Sequence, residues 1–214
     1  MTGSLISLEG VALRRTTTLI LRAVDLEVAP GEAVGLFGAN GSGKTTLLRL
    51  IATLARPSAG SGRILGAPLG TGAVEAVRPR IALIGHEPAL APSLTLAENL
   101  RLFARLSGAE PEAAARALDE VGLAGAAGRR ADQCSNGMRR RAEFARVALT
   151  EPEVLLLDEA HVGLDPAAAT LVERTVAATL ERGGCAIVVS HERERVAPLI
   201  SRSVLLVDGR LEAA

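Results

Sequence analysis

Aromatic side chains are almost missing from this chain: three phenylalanines and no tyrosine or tryptophan in 214 residues. Proteins that hold single strands of nucleic acid stack bases on aromatic faces, so that class of binding surface is excluded. An excess of one charge is missing as well. Lys plus Arg number 24 and Asp plus Glu number 24, so no overall field draws the protein to nucleic acid or acidic lipid, and any anionic ligand has to be held locally. Long apolar runs are absent: stretches such as "VLLL" at 154–157 fall far short of the ~20 residues that cross a bilayer. The N-terminal "MTGSLISLEG" has neither a basic nor an apolar leader region, so it reads as the start of the fold rather than a secretory signal. Only two cysteines occur, Cys134 and Cys185, without CxxC or metal-like spacing. They read as small buried hydrophobes in a reducing cytosol.

The length suits one sizeable domain with a substantial core and leaves no room for a second full domain. Along the chain, Val24, Leu26 and Val28 alternate with Ala23, Asp25 and Glu27, the period of a half-buried strand. A turn at "APGE", 29–32, leads to the short apolar run "AVGLF", 33–37. Then comes "GANGSGKTT", followed by Leu47, Leu48, Leu50, Ile51 and Leu54 at helical spacing: strand, glycine loop, helix. Further apolar runs at 81–84, 154–158, 185–190 and 203–208 read as buried parallel strands covered by helices. Between them, residues 90–150 are Ala-rich and helical in pattern, with Pro111 suited to a first helical turn and Gly122 to a C-terminal cap. This segment is expected to be a helical subdomain inserted in an α/β core.

Gly38 to Thr45 match GxxxxGK[ST] in the required setting, after a strand and before a helix. Glycines let the backbone N–H groups of Gly38, Ala39, Asn40, Gly41, Ser42 and Gly43 face inward around a polyphosphate. The helix N-terminus adds roughly half a positive charge. Lys44 reaches the outer phosphates, Thr45 ligates Mg²⁺, and Thr46 completes the loop. The run "VLLLDEA" ends a buried strand at Asp158, which places a carboxylate near Mg²⁺, and Glu159 beside it is set to orient or deprotonate an attacking water. That is hydrolysis chemistry.

Residues 158–161 spell "DEAH", the box that names a helicase family. Such helicases resemble two tandem ATPase domains and carry a Ser-Ala-Thr motif that is missing here. With no aromatics to stack bases, His161 reads as incidental and no nucleic-acid partner is expected. "CSNGMRRRAEF" at 134–144 suits a helix cap on its own residues, since Ser and Asn satisfy orphan N–H groups.

The order of elements resembles the nucleotide-binding subunit of ATP-binding cassette (ABC) transporters over nearly the whole chain. The resemblance implies a P-loop NTPase of ABC type: a RecA-like core with an antiparallel β subdomain, about 1–88 and 151–214, and an inserted α-helical subdomain, about 89–150. It implies ATP and Mg²⁺ as cofactors. It also gives "CSNGM" the place of the family signature, usually Leu-Ser-Gly-Gly-Gln, which acts in trans. Two subunits, a homodimer or a pair, pack head to tail, and Ser135, Asn136 and Gly137 cap the ATP held by the other's loop. Asp165 in "GLDP" matches the loop that crosses the dimer interface and also suits an N-cap before Pro166. His191 matches the switch histidine on the γ-phosphate.

Two departures stand out. Glu87 in "IGHEPAL" replaces the usual Gln that contacts Mg²⁺ and water, and a carboxylate there attracts metal but repels phosphate. The aromatic that usually stacks on adenine is missing, and Arg14 and Arg15 occupy its neighbourhood. Losing that stacking removes ~1–3 kcal/mol, about five- to hundred-fold in affinity, of which an Arg plane recovers part by cation–π contact. The resemblance further implies a separate integral membrane permease as partner and a peripheral place on the cytoplasmic face of the cell membrane. "GHEPALAPSLTLAENL" resembles the ATPases of haem export in cytochrome c maturation, while the "SxGM" pattern followed by basic residues also occurs among drug and lipid export ATPases. Departures at Glu87, Asn136 and Met138 leave a slow regulatory ATP-binding module as the other reading.

Overall fold

Alternating burial over residues 23–28 marks a strand of one sheet, and continuous burial marks the strands of another. The computed structural model describes residues 3–110, 112–160 and 166–213; Pro111, His161 and Asp165, the last with its expected cap and interface role, lie outside them. In chain order the elements are β1 (Ile6–Arg15), β2 (Thr18–Val28), β3 (Ala33–Phe37), α1 (Lys44–Ile51), β4 (Ala59–Ile64), β5 (Ala67–Pro68), β6 (Ile81–Ile84) and α2 (Leu96–Ser107). They continue with α3 (Ala113–Glu120), α4 (Asn136–Thr150), β7 (Val154–Asp158), α5 (Pro166–Glu181), β8 (Cys185–Val189), α6 (Arg193–Val196), β9 (Arg202–Val207) and β10 (Arg210–Ala213).

A four-stranded antiparallel sheet runs β2-β1-β4-β5 and a six-stranded sheet runs β10-β9-β3-β8-β7-β6. The second is parallel from β9 to β6, with β10 antiparallel at its edge. In β2 the expected alternation holds: Val24, Leu26 and Val28 are buried and Ala23, Asp25 and Glu27 exposed. In β3, β7 and β8 every residue is buried, because the parallel sheet is covered on both faces. Alternate residues still go to different cores. Val34, Leu36, Val154, Leu156, Ile187 and Val189 join α1 and the antiparallel sheet, whereas Phe37, Leu155, Leu157 and Val188 face the helices.

Helices α2, α3 and α4 fall within the 89–150 segment. Their apolar faces, through Leu100, Leu118 and Phe144, share one cluster with that second face of the sheet. Gly122 takes φ +69° immediately past the α3 cap residue Val121, the left-handed step that ends a helix and that Gly adopts without a Cβ penalty. Asn99 is 1% exposed. Its amide holds the loop before α2, accepting from the Ala91 N–H at 2.7 Å and donating to the Ala91 and Thr95 carbonyls at 3.1 and 3.0 Å. Both cysteines are buried and free. Among the described residues no helix is long and apolar enough to cross a membrane.

Candidate nucleotide site

The phosphate loop spans the gap between β3 and α1, so it inherits its position from the middle of the parallel sheet. Helix α1 begins without a side-chain cap: its N-cap is Gly43 at φ 107°, leaving its first N–H groups to an external anion. Glycine is required at 38 for a second reason. A Cβ there would stand 2.4 Å from the Leu206 carbonyl oxygen and 2.8 Å from Ser42 Oγ. Lys44 is 7% exposed, and its Nζ donates to the Gly38 and Ala39 carbonyls at 2.8 and 2.9 Å, folding the ammonium into the loop it serves. Ser42 Oγ is buried with no partner among the described residues, a polar atom that a bound phosphate would satisfy.

Across the loop stands the end of β7. Asp158, 3% exposed, accepts from Thr45 Oγ1 at 2.7 Å. Glu159 carries φ +54°, a conformation that costs a non-glycine residue energy and concentrates at functional sites. Its N–H is held by the Val189 carbonyl at 3.1 Å, and its Oε1 lies 2.6 Å from Nε2 of His191. The chain after β8 is anchored in turn, with the Arg193 guanidinium stacked 4.6 Å above the centre of the Phe37 ring at the base of the phosphate loop.

These groups share one open cavity of about 760 Å³, lined by Asn40, Gly41, Gly43, Lys44, Thr45 and Thr46 and faced by Asp158, Glu159 and His191. Sequence reasoning named all of them. It did not name Thr18, Ile20 or His86, which also line the cavity; the first two have no motif, and His86 was visible only as the neighbour of Glu87. Arg14 and Arg15 are exposed and do not line it. The Arg14 guanidinium donates to the Thr17 carbonyl at 3.0 Å within its own hairpin, so the wall on that side is Thr18 and Ile20. Glu87 is exposed and faces an adjoining groove, about 580 Å³, which also reaches Thr45 and Asp158. Among the described residues no three His, Cys, Asp or Glu side chains could hold a metal together. A Thr–Asp pair is nonetheless the sparse protein contribution that suits Mg²⁺, which keeps water and phosphate as its other ligands.

Ser135, Asn136 and Gly137 do not line this cavity. Ser135 is the N-cap of α4, its Oγ accepting from the Met138 N–H at 3.2 Å, and the Arg139 guanidinium donates to Asn136 Oδ1. Behind this end, Arg140 is buried. Burial lowers its guanidinium pKa, opposed by Glu143 and then Asp158. Burial likewise raises the Cys134 thiol, partly offset by Arg129 and Arg139.

A glycine loop between a parallel strand and a helix, a buried Lys at its end and a Thr–Asp pair across from it define a P-loop nucleoside triphosphatase. The comparisons narrow the class. The model of the ABC transporter family matches residues 21–162, and the chain belongs to that family, in which this fold is the ATP-hydrolysing cassette. It is 35% identical over 195 residues to Nod factor export ATP-binding protein I of Paraburkholderia xenovorans (strain LB400), covering 89% of this chain and 64% of that protein. It is 36% identical over 189 residues to the cytochrome c biogenesis ATP-binding export protein CcmA of Cupriavidus necator, covering 87% and 83%. To daunorubicin resistance ATP-binding protein DrrA3 of Streptomyces coeruleorubidus it is 38% identical over 218 residues, covering 100% and 68%. The chain thus spans about two thirds of the Nod factor and daunorubicin relatives. Among solved structures, an ATP-binding subunit of an ABC transporter superposes with TM-score 0.90 at 30% identity, covering 98% of this chain and 89% of that one.

Proposed function

We propose that the chain is the motor subunit of an ABC exporter, hydrolysing ATP in a pair of composite sites and driving a separate membrane permease. The observation that carries this is the convergence on one cavity of the phosphate loop, the Thr45–Asp158 pair and the Glu159–His191 pair. Lys44 and the α1 N-terminus bind the phosphates. Thr45 and Asp158 would hold Mg²⁺, which when bound offsets the negative charge of the β- and γ-phosphates. Glu159 orients the attacking water and takes its proton, and His191 fixes the Glu159 carboxylate and reaches toward the γ-phosphate. Ser135, exposed, and Gly137, half-buried, at the α4 N-terminus and absent from their own subunit's cavity, present a hydroxyl and a backbone N–H to the partner's ATP. The subunit would sit on the cytoplasmic face of the membrane through its permease.

For cargo we favour haem, on the "GHEPALAPSLTLAENL" stretch and the likeness to a cytochrome c biogenesis export protein. Nod factor and daunorubicin relatives at 35% and 38% identity support the second reading, an exporter of another small molecule or lipid-like cargo. Co-expression with candidate permeases, scored by cargo-stimulated turnover, separates the two.

The test of the motor assignment is Mg²⁺-dependent ATP turnover against protein concentration, with Glu159→Gln as control. Composite sites require turnover that rises more than linearly with concentration and vanishes in the control. Binding without turnover, persisting when the permease is added, would instead make the chain a regulatory module.

A further inference from the structure

Helix α4 carries three buried charges, Arg140, Glu143 and Arg146, at 9%, 0% and 7% exposure. Both arginines reach the outer edge of β6, which among the described residues pairs with β7 alone. Arg146 donates to the Leu83 carbonyl at 3.0 Å and to Glu143 Oε2 at 3.1 Å, and its guanidinium lies 5.3 Å from the Phe103 ring centre. Arg140 donates to the Gly85 carbonyl at 2.6 Å. The two bonds differ in what they hold. Leu83 is inside β6 and has a strand ladder on its other side. Gly85 is one residue past the strand, and the next residue, His86, lines the nucleotide cavity.

We propose that Arg140 is a positioning residue: by clamping the Gly85 carbonyl it fixes the His86–Glu87 loop at the cavity mouth, and it ties that loop to the signature end of α4. Arg140 sits in the second turn of the helix that Ser135 caps and that begins with Asn136 and Gly137. A shift of that end on meeting a partner's nucleotide therefore reaches Gly85 through one rigid turn and one charge-assisted bond. The inference rests on the function proposed above only for this last step. The clamp is a property of the single chain.

Arg140→Met leaves the Arg146–Glu143 bond in place and removes the donor to Gly85 together with the longer-range charge that faces Glu143 and Asp158; Arg140→Lys keeps that charge, so it separates the two losses. Arg146→Met is the control, an equally buried arginine on the same helix and strand. The measurement is amide hydrogen exchange by mass spectrometry on the whole chain, together with steady-state ATP kinetics. In Arg140→Met, exchange over 85–89 should rise about tenfold or more while β7 stays protected. The kcat should fall on the order of tenfold with KM for ATP within about twofold, since positioning rather than binding is lost. Arg140→Lys, which keeps a cationic donor, should recover most of both. If Arg140→Met does not fold, Arg140→Gln is read by the same criterion. Unchanged exchange over 85–89, or equal loosening by Arg146→Met, overturns the proposal. If the wild-type chain has no turnover with or without permease, the motor assignment fails, and the exchange data alone still decide the clamp.

Discussion

In the function proposed, Lys44 holds the outer phosphates and Glu159 the attacking water, so their removal should separate binding from chemistry. Lys44→Ala deletes the cation that now rests on the Gly38 and Ala39 carbonyls; nucleotide affinity, measured by titration calorimetry, should fall at least about tenfold. Glu159→Gln keeps size and polarity but cannot take a proton. It should bind ATP as tightly as wild type while turnover drops about 10²–10⁴-fold. Cys185 makes a different test. Fully buried in β8, its thiol is pushed up to about 12 from 9.0, by burial first and Glu32 second. Below pH 9 folded and unfolded chains both keep this proton; above it the unfolded chain releases the proton and the folded chain does not. Stability therefore falls as pH rises from about 9 to 12, by about 1.4 kcal/mol per unit. In Cys185→Ala, urea midpoints across that range should lose this part of the alkaline slope.

At the scale of elements, legibility followed burial. The runs at 33–37, 81–84 and 154–158 coincide with β3, β6 and β7, because strands covered on both faces need unbroken apolar sequence. β1 escaped a period-two reading since a bulge at Gly10, φ +57°, shifts the register between Leu8 and Val11; the core residues fall at 6, 8, 11 and 13. β4 escaped because "AGSGRI" is mostly exposed and glycine-rich. A Cβ on Gly60 would stand 2.3 Å from the Gly10 carbonyl oxygen, so close approach of the two backbones excludes the side chains that mark a strand. The site was readable for the same reason that β3 and β7 were: its loops leave the ends of fully buried strands. Thr18, Ile20 and His86 were not, since they reach the cavity through tertiary packing alone. Helix α2 starts at a capping box, with Thr95 Oγ1 accepting from the Glu98 N–H at 3.1 Å and Glu98 accepting from the Thr95 N–H at 2.8 Å. Thr95→Ala should cost about 1 kcal/mol in chemical denaturation and leave ATP affinity unchanged, because the cap lies outside the cavity.

For the whole molecule, the decisive feature is a separation: Ala39, Asn40 and Gly41 at the tip of the phosphate loop and Ser135 and Asn136 at the start of α4 are exposed, and the α4 residues do not line the loop's cavity within one chain. A two-fold dimer that pairs each loop with the other subunit's α4 makes two sites from four half-sites. Lys44→Ala damages only the loop half, and Ser135→Arg only the signature half. Each variant alone should be inactive, since every site in its homodimer contains one damaged half. Mixed, they form heterodimers in which one site joins both damaged halves and the other joins two intact ones. With random pairing half the dimers are mixed and each has one working site, so turnover should return to roughly a quarter of wild type if the sites fire independently. Recovery should follow the mixing ratio, peaking at equal amounts. If the two halves served one site within a single chain, both variants would be dead in every mixture, and no recovery at any ratio would exclude the composite arrangement with independent sites. Intermediate recovery, well below a quarter yet still peaking at equal amounts, would show that both ATP molecules are needed to close the pair.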